Sequence, residues 1–236
     1  MARAIGTSAS FRTVEPLPGR HPSGPIAVLL AVKLAALLGA LLLWPAAVKA
    51  QGGLYGPEAP RDVAYVRLIN ARPGGPVGPV VGGEEWQSVD FAEVSPYHRI
   101  APGQHAVSAA GIESSFTARA ESFTTLVLLE NELVTIDDTP LRDISRGLLT
   151  LYNLTADHTL TLGTVDGSQV ISDVEPLSAA SRAISQAEVE LVVSSNGKPI
   201  GKLDSRLYRR GEAHSVIVMP EGTQPRVIYA RAAAER

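Results

Sequence analysis

Apolar and polar positions alternate over short runs along most of this chain, and Gly, Pro, Asn and Asp separate the runs. Ala64 to Asn70 mixes strand-forming side chains with alternation, as a β-strand requires. Further strands are predicted at Tyr97 to Ile100, Gln104 to Ala109, Ser114 to Ala118, Thr124 to Leu129 and Glu132 to Ile136. Ala71 to Gly83 is rich in Gly and Pro and reads as a loop with one short strand near Pro79 to Val81. The second half repeats the style. Strands are predicted at Leu148 to Leu154, Leu160 to Val165, Gln169 to Val174, Ser181 to Ser185, Glu188 to Ser194, Gly201 to Leu207, Ala213 to Met219 and Arg226 to Arg231. Asp166-Gly167 and Asn196-Gly197 are hairpin turns, because Asn, Asp and Gly tolerate positive φ. Ala232 to Arg236 alone has a helix-friendly composition and is expected to fray.

Short strands spaced about 8–12 residues apart, with Gly and Pro turns, argue an all-β sandwich or barrel, and two such segments of under about 100 residues each argue two sandwiches. Asp137 to Arg146 holds Pro140 and three aspartates without apolar periodicity, so the chain is expected to change domain there. The expected layout is one β-sandwich at 51–139, a linker at 140–146 and a second β-sandwich at 147–236. The halves echo each other. Tyr65-Val66-Arg67-Leu68-Ile69-Asn70-Ala71 resembles Leu149-Thr150-Leu151-Tyr152-Asn153-Leu154, and Ala120 to Leu128 parallels Arg210 to Val218.

The first fifty residues follow a different pattern. Arg3, Arg12 and Arg20 precede an apolar stretch from Ile26 to Trp44, which only Lys33 interrupts. The uninterrupted part, Leu34 to Trp44, suits the core of an export signal and is short for a membrane span, which needs roughly 20 apolar residues. Val48-Lys49-Ala50 places the expected cut between Ala50 and Gln51. The alternative is an uncleaved anchor with Lys33 near the interface. Residues 1–50 are therefore read as a cleaved signal peptide, and the rest as periplasmic.

Charge sharpens the division. Residues 51–139 hold 5 Arg or Lys against 12 Asp or Glu, a balance of −7, and residues 140–236 hold 11 of each. An acidic first half disfavours non-specific binding to nucleic acid or another polyanion. The chain has no cysteine, so neither disulfides nor thiolate-bound metal can hold it together.

No catalytic set stands out. The histidines after the signal, His98, His105, His158 and His214, lack the i, i+4 spacing of a helical zinc pair. The Gly-x-Ser-x-Gly elbow is absent, and Asp166-Gly167-Ser168 reads as a turn rather than a nucleophile loop. Gly74-Gly75 and Gly82-Gly83 have no following helix to cradle a phosphate. Asn153-Leu154-Thr155 matches a glycosylation sequon, a short signal that says little outside a eukaryotic secretory path. No catalytic residue, cofactor or metal is expected.

Two features are candidates for binding. Trp86, with Tyr97, His98 and Arg99 downstream, offers ring faces for a sugar and a cation for its carboxylate, or else Trp86 and Tyr97 fill the sandwich core. Lys198, Lys202, Arg206, Arg209 and Arg210 put five cations in thirteen residues, with Asp204 opposing. By strand alternation Lys202 and Arg206 share one face, forming a strip for an anionic polymer or acidic partner, or else a charged edge that resists strand pairing.

Leu54-Tyr55-Gly56-Pro57-Glu58-Ala59-Pro60, followed by Ala64-Tyr65-Val66-Arg67, resembles the start of mature AlgF-like periplasmic alginate O-acetylation proteins. Leu149 to Thr155, Leu160-Thr161-Leu162, Val165-Asp166-Gly167, Val174-Glu175-Pro176-Leu177 and Arg210-Gly211-Glu212-Ala213 follow the same order. The resemblance covers essentially the whole chain after the signal. The long signal and the expanded Ala71 to Gly83 loop depart from the pattern. The resemblance implies a non-catalytic accessory or adaptor in O-acetylation of alginate mannuronate. Its implied partners are a membrane-bound O-acyltransferase and periplasmic SGNH-type acetyltransferases. The alternatives are a carbohydrate-binding protein gripping alginate or polymannuronate directly and, third, an acetyl-carrying enzyme.

Overall fold

The computed structural model describes residues 62–233, so the expected signal, its cleavage site and the Leu54-Tyr55-Gly56-Pro57 motif lie outside the described residues. The described residues contain strands and turns and no helix. The first half forms β1 (Ala64–Asn70), β2 (Val80–Val81), β3 (Glu84–Glu85), β4 (Glu93–Val94), β5 (His98–Ile100), β6 (Gly103–Ala109), β7 (Ile112–Ala118), β8 (Phe123–Leu128) and β9 (Leu133–Asp138). The second forms β10 (Gly147–Asn153), β11 (Leu160–Thr164), β12 (Gln169–Val174), β13 (Ser178–Ile184), β14 (Ala187–Ser195), β15 (Lys198–Tyr208), β16 (Ala213–Glu221) and β17 (Gln224–Arg231).

The two halves repeat one topology. In the first, β4-β1-β8-β9 (with β5 also on β1) faces β3-β2-β6-β7; in the second, β13-β10-β16-β17 faces β12-β11-β14-β15. Each half is built on a parallel central pair, β1 with β8 and β10 with β16, and Asn70 opposite Leu128 corresponds to Asn153 opposite Val218. The two asparagines do the same job. Each side-chain amide donates to a distant backbone carbonyl, Val89 O or Val174 O, at 2.9 Å. Each side-chain oxygen accepts the N–H two residues on, from Arg72 or Thr155, at 3.1 Å. The sequence echo thus marks equivalent places in two copies of one fold. Asn153 is fully buried in this role, which removes it as a glycan acceptor in the folded chain.

Four sheet layers result. One apolar core joins Val66, Leu68 and Leu126 to Val107 and Phe116 inside the first sandwich, and another joins Leu149, Leu151 and Val216 to Leu162, Leu191 and Val193 inside the second. A third joins the two sandwiches, with Ile69, Val127 and Ile136 packed against Tyr152, Ile217 and Met219. The two central sheets are therefore covered on both faces. This explains why β1, β8 and β10 are buried along their whole length instead of alternating.

Local sequence accounts for the turns. Asn196 and Gly197 both take positive φ, +50° and +74°, as expected of a two-residue hairpin loop. Ala110-Gly111 makes an equivalent turn at +52° and +81°, which the sequence does not advertise because Ala rarely adopts that region. Two expectations at the joint need correction. The strand expected to end at Ile136 runs on through Asp137 and Asp138 in β9, with Asp138 opposite Phe123. Ala232 and Ala233, expected to fray, are pinned: Ala232 N donates to Ala213 O, and Ala233 O accepts from Tyr97 N.

Candidate functional site

The most concentrated polar chemistry lies between the two sandwiches. Arg67 is 2% exposed and projects from the face of β1 that meets the second sandwich. Its Nε donates to Thr125 Oγ1 at 2.9 Å, and one Nη donates to the Tyr152 hydroxyl at 2.7 Å and Ser215 Oγ at 3.2 Å. The hydroxyls pass the charge on. Thr125 donates to Asp138 Oδ2 and Tyr152 to Asp138 Oδ1, each at 2.5 Å, and Tyr97 donates to Oδ2 at 2.7 Å. The guanidinium also lies over the rings of Tyr97, 4.7 Å from the centroid, and Tyr152, 5.3 Å. Arg67 and Asp138 thus form an ion pair bridged by hydroxyl groups, which satisfies a buried guanidinium through a partly exposed carboxylate.

Electrostatics keep the arginine and the two phenols of this cluster each in one protonation state. Burial by itself lowers the Arg67 pKa, but Tyr152, Tyr97 and Asp138 raise it, with a net upward shift. Burial pushes both Tyr97 and Tyr152 well up against the opposing pull of Arg67, so both phenols stay neutral. A neutral phenol donating to a carboxylate, beside a fixed guanidinium, is a strut and not a proton donor poised near neutrality.

A second cluster lies inside the second sandwich. His214 is 1% exposed; its Nδ1 lies 2.8 Å from the Tyr229 hydroxyl and its Nε2 3.4 Å from Arg209 O. The carbonyl can only accept, so Nε2 carries the proton and Nδ1 accepts from Tyr229. Burial lowers the His214 pKa, while Arg209 O and Glu212 oppose the shift. Tyr208 packs edge-on against His214, its pKa pushed up to about 12 by burial against the pull of Arg206. Its hydroxyl is buried without a hydrogen-bond partner among the described residues.

The residues singled out in the sequence separate widely. Trp86 is 8% exposed and stacks on His98 at 4.0 Å in the core of the first sandwich, while Tyr97 is the buried strut just described. Neither presents a ring face to solvent, and Arg99 stands exposed on β5 opposite the buried Tyr65 of β1. The five-cation run divides too. Between Val189↔Arg206 and Leu191↔Leu203, β15 spends three steps against two on β14, a β-bulge. The extra residue reverses side-chain parity, so Lys202 and Arg206 do not share a face as alternation predicts. Lys202 points outward and pairs with Glu190. Arg206 turns inward over the Tyr229 ring, 3.8 Å from its centroid. Lys198, Arg209 and Arg210 remain exposed. The sequence carried no signal for Arg67 and Asp138 as partners, because 71 positions separate them and the hydroxyl that bridges them from Tyr152 comes from the other sandwich.

The outer face of the β12-β11-β14-β15 sheet carries a groove of about 710 Å³. Gly163, Gly167 and Gly197 keep its floor low, and Thr161, Ser194 and Lys202 line it. Among the described residues no group of three or more His, Asp or Glu is placed to hold a metal ion.

Comparison with known proteins sets these features in context. A sequence model described as "Alginate O-acetyl transferase AlgF" matches residues 36–215. A protein named alginate biosynthesis protein AlgF from Pseudomonas aeruginosa is 27% identical over 211 residues, covering 89% of this chain and 93% of its own length. The protein of that name from Pseudomonas putida is 28% identical over 175 residues, covering 73% and 80%. Among solved structures, the C-terminal domain of AlgF from P. aeruginosa is 28% identical, covers 37% of this chain and 98% of that one, and superposes with a TM-score of 0.35. The N-terminal domain is 20% identical, with 35% and 100% coverage and a TM-score of 0.32. With most of its length matched from before the first sandwich into the last strands of the second, this chain belongs to the AlgF family.

Proposed function

We propose that this chain is a non-catalytic adaptor in the periplasmic O-acetylation of alginate on its mannuronate residues. Family membership supports the alginate system. The observation that carries the adaptor reading is the use the fold makes of its reactive side chains. Arg67, Tyr97, Thr125, Asp138, Tyr152 and Ser215 are spent on joining two sandwiches, and all but the partly exposed Asp138 are buried. The joint fixes the two outer sheets on opposite sides of one body, a geometry suited to holding two partners at a set separation. The partners in this reading are a membrane-bound O-acyltransferase and periplasmic SGNH-type acetyltransferases. Co-purification of tagged protein with these enzymes tests it. Absence of any association, together with normal alginate acetylation in a deletion strain, overturns it.

One observation favours a second reading, direct grip on an anionic polysaccharide: the groove on the outer sheet of the second sandwich, with Lys202 at its side. Against it, Lys202 is already paired with Glu190, and Trp86 and Tyr97 are buried. Oligomannuronate titration of the wild type and of Lys202→Ala separates the two readings. A covalent acetyl adduct found by mass spectrometry would instead revive the acetyl-carrying enzyme.

A further inference from the structure

The strands β1, β8, β10 and β16 all begin at one end of the body. Val63 and Ala232 pack there on Tyr65, Tyr97 and Phe123, and Ala232 also meets Leu141, Leu148 and Ala213. The chain enters its described portion at this end. Two loops of the second sandwich meet here. Gly211 N donates to Arg146 O at 2.9 Å, and Gly147 leaves no room for a Cβ, which would stand 2.7 Å from Arg209 O. This apposition brings Arg142 and Arg146 beside Arg209 and Arg210, all four exposed and none ion-paired within the described residues.

At the centre is Ile144, 68% exposed, the most exposed large hydrophobic side chain among the described residues. The acid among them, Asp143, is tied down by Ser145, whose N–H and hydroxyl both donate to its carboxylate at 2.9 and 2.6 Å. Nearby Asp137 and Glu212 are matched by Arg119 and Arg231. Asp62 and Glu121 sit on the first sandwich's side of this end, so the unopposed positive charge belongs to the second sandwich. Arg146 also donates to Ala183 O at 2.8 Å. An exposed isoleucine close to exposed arginines combines a small apolar anchor with attraction for a negatively charged sheet of headgroups.

We propose that this end of the second sandwich, Ile144 with Arg142, Arg146, Arg209 and Arg210, is a docking surface for an anionic phospholipid membrane. It orients the body with its strand starts toward the bilayer, and it does not depend on the adaptor reading. The test is flotation of the full-length exported protein with vesicles of phosphatidylglycerol and, separately, phosphatidylcholine. Binding is expected to the former over the latter and to weaken as salt rises. The triple variant Arg142→Glu, Arg209→Glu, Arg210→Glu should bind phosphatidylglycerol roughly ten-fold more weakly or worse, with Ile144→Ser weakening it less. These positions are exposed, so an unchanged thermal melt shows that the variants fold, and the shared N-terminus cancels from the comparison. Equal binding to both lipids, or undiminished binding by the triple variant, overturns the proposal. So does failure to bind vesicles; if the triple variant then also loses its acetyltransferase partners, the patch belongs to an acidic protein surface.

Discussion

Tyr152 and Asp138 belong to different sandwiches, and the phenol of one donates to the carboxylate of the other at 2.5 Å. Through this bond and its neighbours the charge of Asp138 reaches Arg67, which has no carboxylate in direct contact among the described residues. Two sandwiches joined only by a linker would be free to reorient. Here the joint is a buried polar relay set in an apolar seam of Ile69, Val127, Ile217 and Met219. Removing Asp138 strands a buried guanidinium. Asp138→Ala should cost about 3–5 kcal/mol, measured by chemical denaturation. Because the penalty comes from the uncompensated charge, adding Arg67→Met to Asp138→Ala should recover part of it. A double variant no more stable than Asp138→Ala would show that the pair is not coupled.

The paired asparagines predict matched losses. Asn70→Ala and Asn153→Ala each leave a buried carbonyl and a backbone N–H without their partner. Each should destabilise by about 1–3 kcal/mol. The two costs should add, since the sites lie in separate cores. Clearly unequal losses in denaturant melts would count against the equivalence of the halves, and strong non-additivity against the independence of their cores.

His214 sets an acid limit. Its folded pKa is depressed by burial, so the unfolded chain binds the extra proton first. Stability contributed by neutral His214 is present above about pH 6.5 and is lost as pH falls below that value. Melting temperature should drop between pH 7 and pH 5, and His214→Gln should flatten that slope. At the other end, the raised pKa values of Tyr97 and Tyr152 make stability fall as pH climbs past about 10, where the unfolded phenols ionise.

The bulge in β15 makes two neighbouring cations unequal. Arg206→Ala removes a guanidinium stacked on Tyr229 and should destabilise by about 0.5–2 kcal/mol. Lys202→Ala breaks an outward pair that is largely solvated and should cost about 0.5 kcal/mol or less. Equal effects in thermal melts would place both side chains on one face after all.

Gly201 marks a close approach between β15 and β17. A Cβ there would lie 2.2 Å from Val227 Cγ2, and a β-branched valine cannot swing away cheaply. Gly201→Ala should cost about 1–3 kcal/mol, and Val227→Ala in the same chain should relieve part of the clash. A neutral Gly201→Ala in denaturant melts would show that the sheets can separate there.

Alternating runs and turn residues determined the all-β class, the positions of most strands, the Asn196-Gly197 hairpin and the echo between Asn70 and Asn153. Those features are local, set by backbone sterics and by side chains a few residues apart. Motif order pointed to the AlgF family for the same reason. Tertiary structure alone decided the rest. Burial of β1 and β10 on both faces depends on one sandwich covering the other, which alternation within a strand does not encode. Asp138, beyond the end of the strand expected at Glu132 to Ile136, became the acceptor at the joint because β9 continues along Phe123. Trp86 and Tyr97 went inside because the small sandwiches need large rings to fill their cores and their shared seam. Lys202 and Arg206 parted because one extra residue in β15 changed which side of the sheet each faces, and that residue is visible only against its partner strand.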